Sequence, residues 1–147
     1  MNIQIRPMVN DDLQIVSKME QEIFTDPWPV KSFEVELKNH HISYPCVIAG
    51  DGIIYGYAIV WHYAGDVHIS NIAIGAEYRR MGLASKMLVH ILERFADHDT
   101  ALLEVRESNH AAIQLYKKFG FNPLHRRPHY YSNGESAIVM VKPLKSS

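Results

Sequence analysis

Apolar positions along the chain repeat with two different periods, and the alternation between them divides the sequence into elements. Ile3 and Ile5 alternate with polar neighbours up to Pro7, which predicts a half-buried strand. Leu13, Val16, Met19 and Ile23 then recur at three-four spacing, the mark of one buried helix face, with Asn10 or Asp11 as the N-cap. The helix ends at "TDPWP", where Pro27 and Pro29 remove donors and disfavour helix in the residue before each. A second, shorter helix fits "VKSFEVELKNH", with Val30, Phe33 and Leu37 on one face.

The middle of the chain returns to the strand period. "CVIAG" and "IIYGYAIVW" flank Asp51-Gly52, a strong hairpin signal, and "DVHISNIAI" follows the turn at Ala64-Gly65. These three strands should form an antiparallel meander. Leu83, Met87, Ile91 and Phe95 then define an amphipathic helix, and "TALLEV" reads as a buried strand. Ser108 or Asn109 can cap a further helix through "AAIQLYKKF", which Gly120 terminates. The tail "FNPLHRRPHYYSNGESAIVMV" makes two strands around Asn133-Gly134.

The predicted order is therefore strand, two helices, three strands, helix, strand, helix, two strands. That is an α+β fold with a mixed, largely antiparallel seven-stranded sheet and about four helices. The helix between the fourth and fifth strands makes that pair a parallel crossover, which puts a ligand cleft near their carboxyl ends.

Composition narrows the setting. At 147 residues, 47% apolar and 21% charged, without repeats or linker-like stretches, the chain is expected to form one domain over residues 1–147. No apolar run approaches the roughly 18 residues of a membrane span, and the start lacks the order of a signal peptide, so a cytoplasmic protein without a membrane partner is expected. The lone Cys46 reads as core in a reducing compartment. A net charge of -1 gives no general attraction for nucleic acid, although "HRRPH" is locally basic. Nine histidines raise the question of metal, but His40 and His41 are adjacent rather than one helical turn apart, and no Cys pair or HExxH accompanies them, so no metal is expected.

One turn stands out chemically. In "YRRMGLASKML" two arginines and Gly82 precede the amphipathic helix, whose first N–H groups lack internal partners and whose dipole favours an anion. The turn has neither the Gly-Lys-Ser/Thr ending nor the three-glycine dinucleotide fingerprint, so nucleoside triphosphate and NAD are disfavoured.

The run "NIAIGAEYRRMGLASKML", followed by "LLEVRESNHAAIQLYKKFGF", resembles the acetyl-coenzyme A site of the GNAT superfamily of N-acetyltransferases. The family pattern of Arg or Gln, two residues, Gly, one residue, Gly or Ala is met by Arg79, Gly82 and Ala84. The resemblance implies that the amides of Arg80, Met81, Gly82, Leu83, Ala84 and Ser85 hold the pyrophosphate of the coenzyme. It implies too that Ile72, Ala73 and Ile74, on a strand splayed from its neighbour, pair with the pantetheine arm, and that Asn109 bonds to the coenzyme.

Glu104 shares a strand face with Leu102 and Arg106, and an ion pair with Arg106 is the plain structural account of it. Tyr116 could equally be core, and a phenol of pKa about 10 could also protonate a leaving thiolate. Resemblance to the RimI subgroup, the ribosomal-protein-alanine acetyltransferases, implies that Glu104 is the general base and Tyr116 the general acid. The same likeness extends over nearly the whole chain and implies a substrate, the N-terminal alanine of small-subunit ribosomal protein eighteen. "FTDPWP" and "RRPHYYSNGESAIVM" resemble the segments that border the peptide groove, with Trp28, Tyr130 and Tyr131 as candidate walls. Glu20, Glu22, Asp26, Glu34 and Glu36 cluster around the first segment and suggest an acidic rim for a basic peptide. Two other functions fit parts of the pattern: a GNAT enzyme acting on a small amine, another N-terminus or a lysine, and a noncatalytic acyl-coenzyme A sensor.

Overall fold

A computed structural model describes residues 2–145. Its strands are β1 (Gln4–Pro7), β2 (Ser43–Gly50), β3 (Ile53–Tyr63), β4 (Asp66–Ile74), β5 (Thr100–Arg106), β6 (Asn122–Arg127) and β7 (Ala137–Pro143). The helices are α1 (Leu13–Ile23), α2 (Val30–Lys38), α3 (Leu83–Arg94) and α4 (His110–Lys118). All seven strands join one sheet in the order β1-β2-β3-β4-β5-β7-β6. Only β4 and β5 pair in parallel; the other neighbours are antiparallel. The element order and the mixed sheet agree with the pattern of apolar positions.

Helices cover both faces of the sheet. One core cluster joins Leu83, Met87, Leu88 and Ile91 of α3 and Tyr116 of α4 to Cys46, Ile48, Ala58 and Val60. The other joins Leu13, Val16 and Phe33 to Val47, Ala49, Tyr57 and Ile59. Successive residues of β2 and β3 thus enter opposite cores, so both strands read as continuous apolar runs rather than as an alternation. Cys46 is fully buried, and the apolar surroundings push its thiol up to about 12.

The tight turns follow their residues. Asp51 and Gly52, at φ 53° and 79°, close β2 onto β3, and Ala64 and Gly65, at 51° and 88°, close β3 onto β4, the left-handed pair that a two-residue hairpin turn needs. Three local expectations are corrected. Neither Asn10 nor Asp11 caps the first helix: the Asp12 carboxylate accepts the Val9 N–H at 2.8 Å and pairs with both Arg6 terminal nitrogens at 2.7 and 2.9 Å. That guanidinium holds the Asp12 carboxyl below its ordinary value. On α1 it is Glu20, 1% exposed, that completes the buried face, while Met19 and Ile23 are half-buried. Val30 opens α2 at its exposed end, with Phe33 buried in its place. The two strands expected around Asn133-Gly134 are β6 and β7, with the pair inside the loop 128–136, where Gly134 N–H closes a turn onto Tyr131 C=O at 2.9 Å.

The important departure from a regular sheet lies between β4 and β5. Their pairing runs from Asp66–Thr100 to Ile69–Leu103 and stops there. On the other side of β4, the register with β3 jumps from Val60–Ile69 to Ile59–Asn71, which leaves Ser70 as the extra residue of a bulge. A bulge bends its strand and raises the local twist. Beyond it, residues 71–74 still pair with β3 but have no strand beside them on the β5 side.

Candidate active site

A groove of about 510 Å³ occupies that opening. It is lined by Ile72, Ala73 and Ile74 of β4, by the turn and first residues of α3, and by Asn109, Ala112 and Tyr116 at α4. The splayed edge of β4 presents backbone groups that an extended chain or arm could pair with.

At its α3 end the groove meets a turn shaped for anions. Arg80 and Gly82 both adopt left-handed backbone, at φ 65° and 75°. Gly82 is the residue before the helix, and a Cβ placed on it would meet nothing within 4 Å, so the space above the turn is open. The first helical hydrogen bond of α3 runs from Lys86 N–H to Gly82 C=O at 3.2 Å. Among the described residues, the main-chain N–H groups of residues 80–85 donate to nothing. Converging free N–H groups at the positive end of a helix bind phosphate well. Arg79, anchored by an Nε bond to Ile74 C=O at 3.4 Å, adds charge at the rim.

Tyr116 lies across the groove on α4, 8% exposed, with its ring against Phe121 at 6.1 Å. Burial pushes its phenol up to about 12, with Tyr131 adding to the rise. It therefore remains protonated over the whole neutral range, a weaker acid than a free phenol but a permanent O–H donor. Among the described residues its hydroxyl has no hydrogen-bond partner. Asn109 caps α4, its side-chain oxygen accepting the Ala112 N–H at 3.2 Å, which leaves both donors of its amide N–H2 for a ligand.

The fifth strand contributes Glu104, just past the last β4–β5 pair. Its side chain is 18% exposed. Oε2 accepts the Tyr130 hydroxyl at 2.7 Å, while Oε1 faces Arg127 Nη1 at 3.5 Å and His68 Nε2 at 3.6 Å. The bond to Glu104 raises the Tyr130 pKa, because ionising the phenol would place two anions together. Tyr131 packs edge-on against Tyr130 at 5.1 Å, and burial pushes it up to about 12. Arg106 does not pair with Glu104, as its neighbourhood on the strand suggested. It reaches Glu135 at 3.0 Å, Asp26 at 3.5 Å and Thr25, and its guanidinium lies 3.9 Å over the Tyr131 ring.

A carboxylate beside a splayed strand and an amide-lined turn is an arrangement suited to acyl transfer, and the comparisons with known proteins agree. The model of the acetyltransferase (GNAT) family matches residues 13–121. The chain belongs to the GNAT family of acetyltransferases. A protein of Bacillus subtilis (strain 168), provisionally named ribosomal protein bS18-alanine N-acetyltransferase, is 40% identical over 139 residues, which is 92% of each chain. An N-alpha-acetyltransferase of Sulfolobus acidocaldarius is 30% identical, covering 97% of this chain and 94% of its own. The crystal structure of the ribosomal-protein-S18-alanine N-acetyltransferase from Escherichia coli superposes with a TM-score of 0.90 at 30% identity, over 99% of this chain and 96% of that one. GNAT acetyltransferases take their acetyl group from acetyl-coenzyme A.

Within this GNAT frame, the cofactor-side residues named from sequence all come together. Ile72, Ala73, Ile74, Arg79, Arg80, Gly82, Leu83, Ala84, Ser85, Asn109 and Tyr116 line the same groove, while Met81 lies in the same turn with its side chain 40% exposed. The acceptor side is assembled differently. Tyr130 and Tyr131 do stand at Glu104, but Trp28 sits farther back, stacked on Trp61 at 6.3 Å and tilted against Phe33 at 5.4 Å. Trp61 in turn meets His68 edge-on at 5.3 Å, so Trp28 joins the site only through two other rings.

The acidic rim is reduced: Glu20 leaves it and Glu36 is half-buried, while Glu22, Asp26 and Glu34 stay exposed. Glu20 is buried and accepts from the Tyr57 hydroxyl at 2.7 Å, the Asn71 amide at 2.9 Å and the Trp28 N–H at 2.9 Å. The charge of Glu20 raises the Tyr57 pKa further than burial alone. Glu36 accepts the Trp61 indole N–H at 2.9 Å, and Asp26 holds the Ser132 N–H at 3.0 Å and its hydroxyl. Only Glu22 and Glu34 remain as plain exposed carboxylates of that group.

Sequence reading missed His68, Arg127 and the Glu20 network. His68 takes a polar place in the alternation of its strand, between buried Val67 and Ile69, so its only signal was a titratable side chain on the face opposite them. Arg127 carried none, since its meeting with Glu104 depends on β6 lying beyond β7 at the sheet edge. Among the described residues no group of three or more His, Cys, Asp or Glu side chains could hold a metal ion, and no helix is long and apolar enough to cross a membrane.

Proposed function

We propose that this acetyltransferase transfers acetyl from acetyl-coenzyme A to the α-amino group of a protein N-terminus, with the N-terminal alanine of ribosomal protein bS18 as the foremost substrate. The observation that carries the reading is the pairing of two half-sites across the β4–β5 opening: free amides at Gly82 on one side, the Glu104 carboxylate with Tyr130 on the other. The names of the Bacillus subtilis and Escherichia coli relatives supply the acceptor, and the length of the match supports carrying it over.

When bound, the coenzyme would supply a thioester, an acyl group already activated for attack by an amine. The amides of residues 80–85 and the Arg79 side chain would hold its diphosphate, and the free edge of Ile72, Ala73 and Ile74 would align its extended arm. Asn109, through its free amide N–H2, would add a further hydrogen bond. Glu104 would take a proton from the incoming ammonium, and the Tyr116 hydroxyl would donate to the sulfur that leaves. An α-amino group, with on the order of a tenth neutral at pH 7, asks far less of such a base than a lysine does. Tyr130 and Tyr131 border the acceptor path, and Trp28 supports it from behind. Residues 1–147 act in this reading as one acetyltransferase domain, working in the cytoplasm with no nucleic-acid or membrane partner.

The test is incubation with acetyl-coenzyme A and short peptides, read by mass spectrometry. The bS18 N-terminal sequence starting at alanine should gain one acetyl on its α-amine, ahead of peptides starting Ser, Met or Gly. A peptide with a blocked N-terminus and one internal lysine should gain none. Preferential lysine acetylation, or turnover of small amines alone, would refute the assignment.

A further inference from the structure

We propose that His68 is a proton relay behind Glu104, receiving the proton that Glu104 removes from the acceptor amine and passing it to solvent. The inference rests on the reading of Glu104 as the base and adds the residue that empties it. A carboxylate is ordinarily a weaker base than an imidazole, so a proton taken from an ammonium does not rest on it for long, and a neighbouring histidine offers a second acceptor.

The geometry supplies the second station. His68 sits on β4 opposite Leu102 of β5 and Trp61 of β3, within the last stretch where the two parallel strands still pair. Its Nε2 is 3.6 Å from Glu104 Oε1, a separation that a small side-chain rotation or one water spans. The Trp61 ring, edge-on at 5.3 Å, holds the imidazole in place. Every charged or titratable group known to face this pair bears on its state. Glu104 comes from β5, Arg127 from β6 and Tyr130 from the following loop. Tyr130 occupies Oε2, so Oε1 is the oxygen left to trade a proton. Arg127, at 3.5 Å from Oε1, disfavours a resting charge on the imidazole, and burial works in the same direction. His68 therefore rests neutral and able to accept.

The protons balance. An ammonium N–H bond breaks as an O–H bond forms on Glu104; that O–H breaks as Nε2–H forms on His68. The carboxylate is restored beside a new imidazolium, whose attraction to Glu104 offsets part of the cost of its burial. The ring is 26% exposed and releases its extra proton to water.

Two measurements test the relay. First, His68→Gln and His68→Asn should lower kcat about 10- to 100-fold, a smaller loss than that of the base itself, with acetyl-coenzyme A affinity and Tm close to those of the parent. Relay function requires neutral His68, so the acid limb of the parent kcat profile should follow the imidazole titration, and that limb should be displaced in the variants. Second, the His68 imidazole followed by NMR should titrate at lower pH in Glu104→Gln than in the parent, because the variant lacks the charge that holds the imidazolium. Parental kcat and an unmoved acid limb in the His68 variants would overturn the relay. So would an unchanged His68 titration in Glu104→Gln, which decides the matter even if the His68 variants fold poorly. If Glu104→Gln keeps full activity, the base reading itself fails; if it is slow while the His68 variants are normal, only the relay does.

Discussion

The two sides of the groove are built from different material. The cofactor side is made of backbone: left-handed Arg80 and Gly82, free N–H groups at the start of α3, and the unpaired edge of β4, nearly all within residues 70–85. The acceptor side is made of side chains drawn from far apart in the chain. Glu104 meets Tyr130 and Arg127, and Arg106 ties Asp26 and Thr25 before α2 to Glu135 before β7. Main-chain donors in a short turn tolerate many side chains, whereas a cluster of charged and phenolic groups depends on every member. The contrast predicts that single substitutions on the two sides fail in separable ways.

The largest effect is expected from Glu104→Gln, which keeps the shape and removes the proposed base: kcat should fall on the order of 10³-fold. Acetyl-coenzyme A affinity, measured by calorimetry, should stay near the parent value. A comparable loss of coenzyme affinity would show that the two sides are not separable. Next comes Tyr116→Phe, with kcat down on the order of 10²-fold and coenzyme binding little changed. Because burial pushes Tyr116 up to about 12, its hydroxyl stays protonated until pH rises through that value. The parent kcat should accordingly show no loss from Tyr116 ionisation between pH 7 and 10, and a phenol titrating at its ordinary value within that activity profile would contradict the assignment.

Gly82→Val addresses the backbone side alone. A β-branched residue at φ 75° is strained by about 1–3 kcal/mol, and its side chain would intrude into the open space over the turn. Acetyl-coenzyme A should bind roughly tenfold or more weakly, with peptide KM nearly unaltered. The smallest effect is expected for Arg106→Lys. The ammonium cannot serve Glu135, Asp26 and the Tyr131 face together, since it lacks the planar fork. Peptide KM should rise about fivefold while KM for the coenzyme and kcat hold, a change of about 1 kcal/mol. If coenzyme KM rises instead, the clamp belongs to both sides and the contrast loses its force.

The same contrast governs how much was legible beforehand. Hairpin turns at Asp51-Gly52 and Ala64-Gly65, the α3 face and the Gly82 turn are local, so residue type and spacing reveal them. Met19 and Ile23 do pack against the core beside Leu13 and Val16, but Glu20 was not legible there, because a buried carboxylate satisfied by three donors can hold the place of an apolar residue. The acidic rim misled for a related reason. Charge can be counted in a sequence, but that Glu20 is buried and exposed Asp26 is committed to hydrogen bonds depends on Tyr57, Asn71 and Ser132, which lie 37, 51 and 106 positions away. Glu104 and Tyr116 were singled out through resemblance to the family, while alternation alone left Glu104 an ion pair with Arg106 that does not form.

From sequence alone come the order of elements, the parallel crossover, the glycine turn before α3 and membership in an acetyltransferase family. Each follows from neighbouring residues or from a contiguous motif. Tertiary structure alone decided where β4 leaves β5, which acidic groups stay free, and that His68 and Arg127 flank Glu104. Those outcomes depend on strand order and on a bulge at Ser70. Folding brings them about by juxtaposing groups dozens of residues apart, and the strength of their interactions is set by distances and burial that exist only once the sheet is formed.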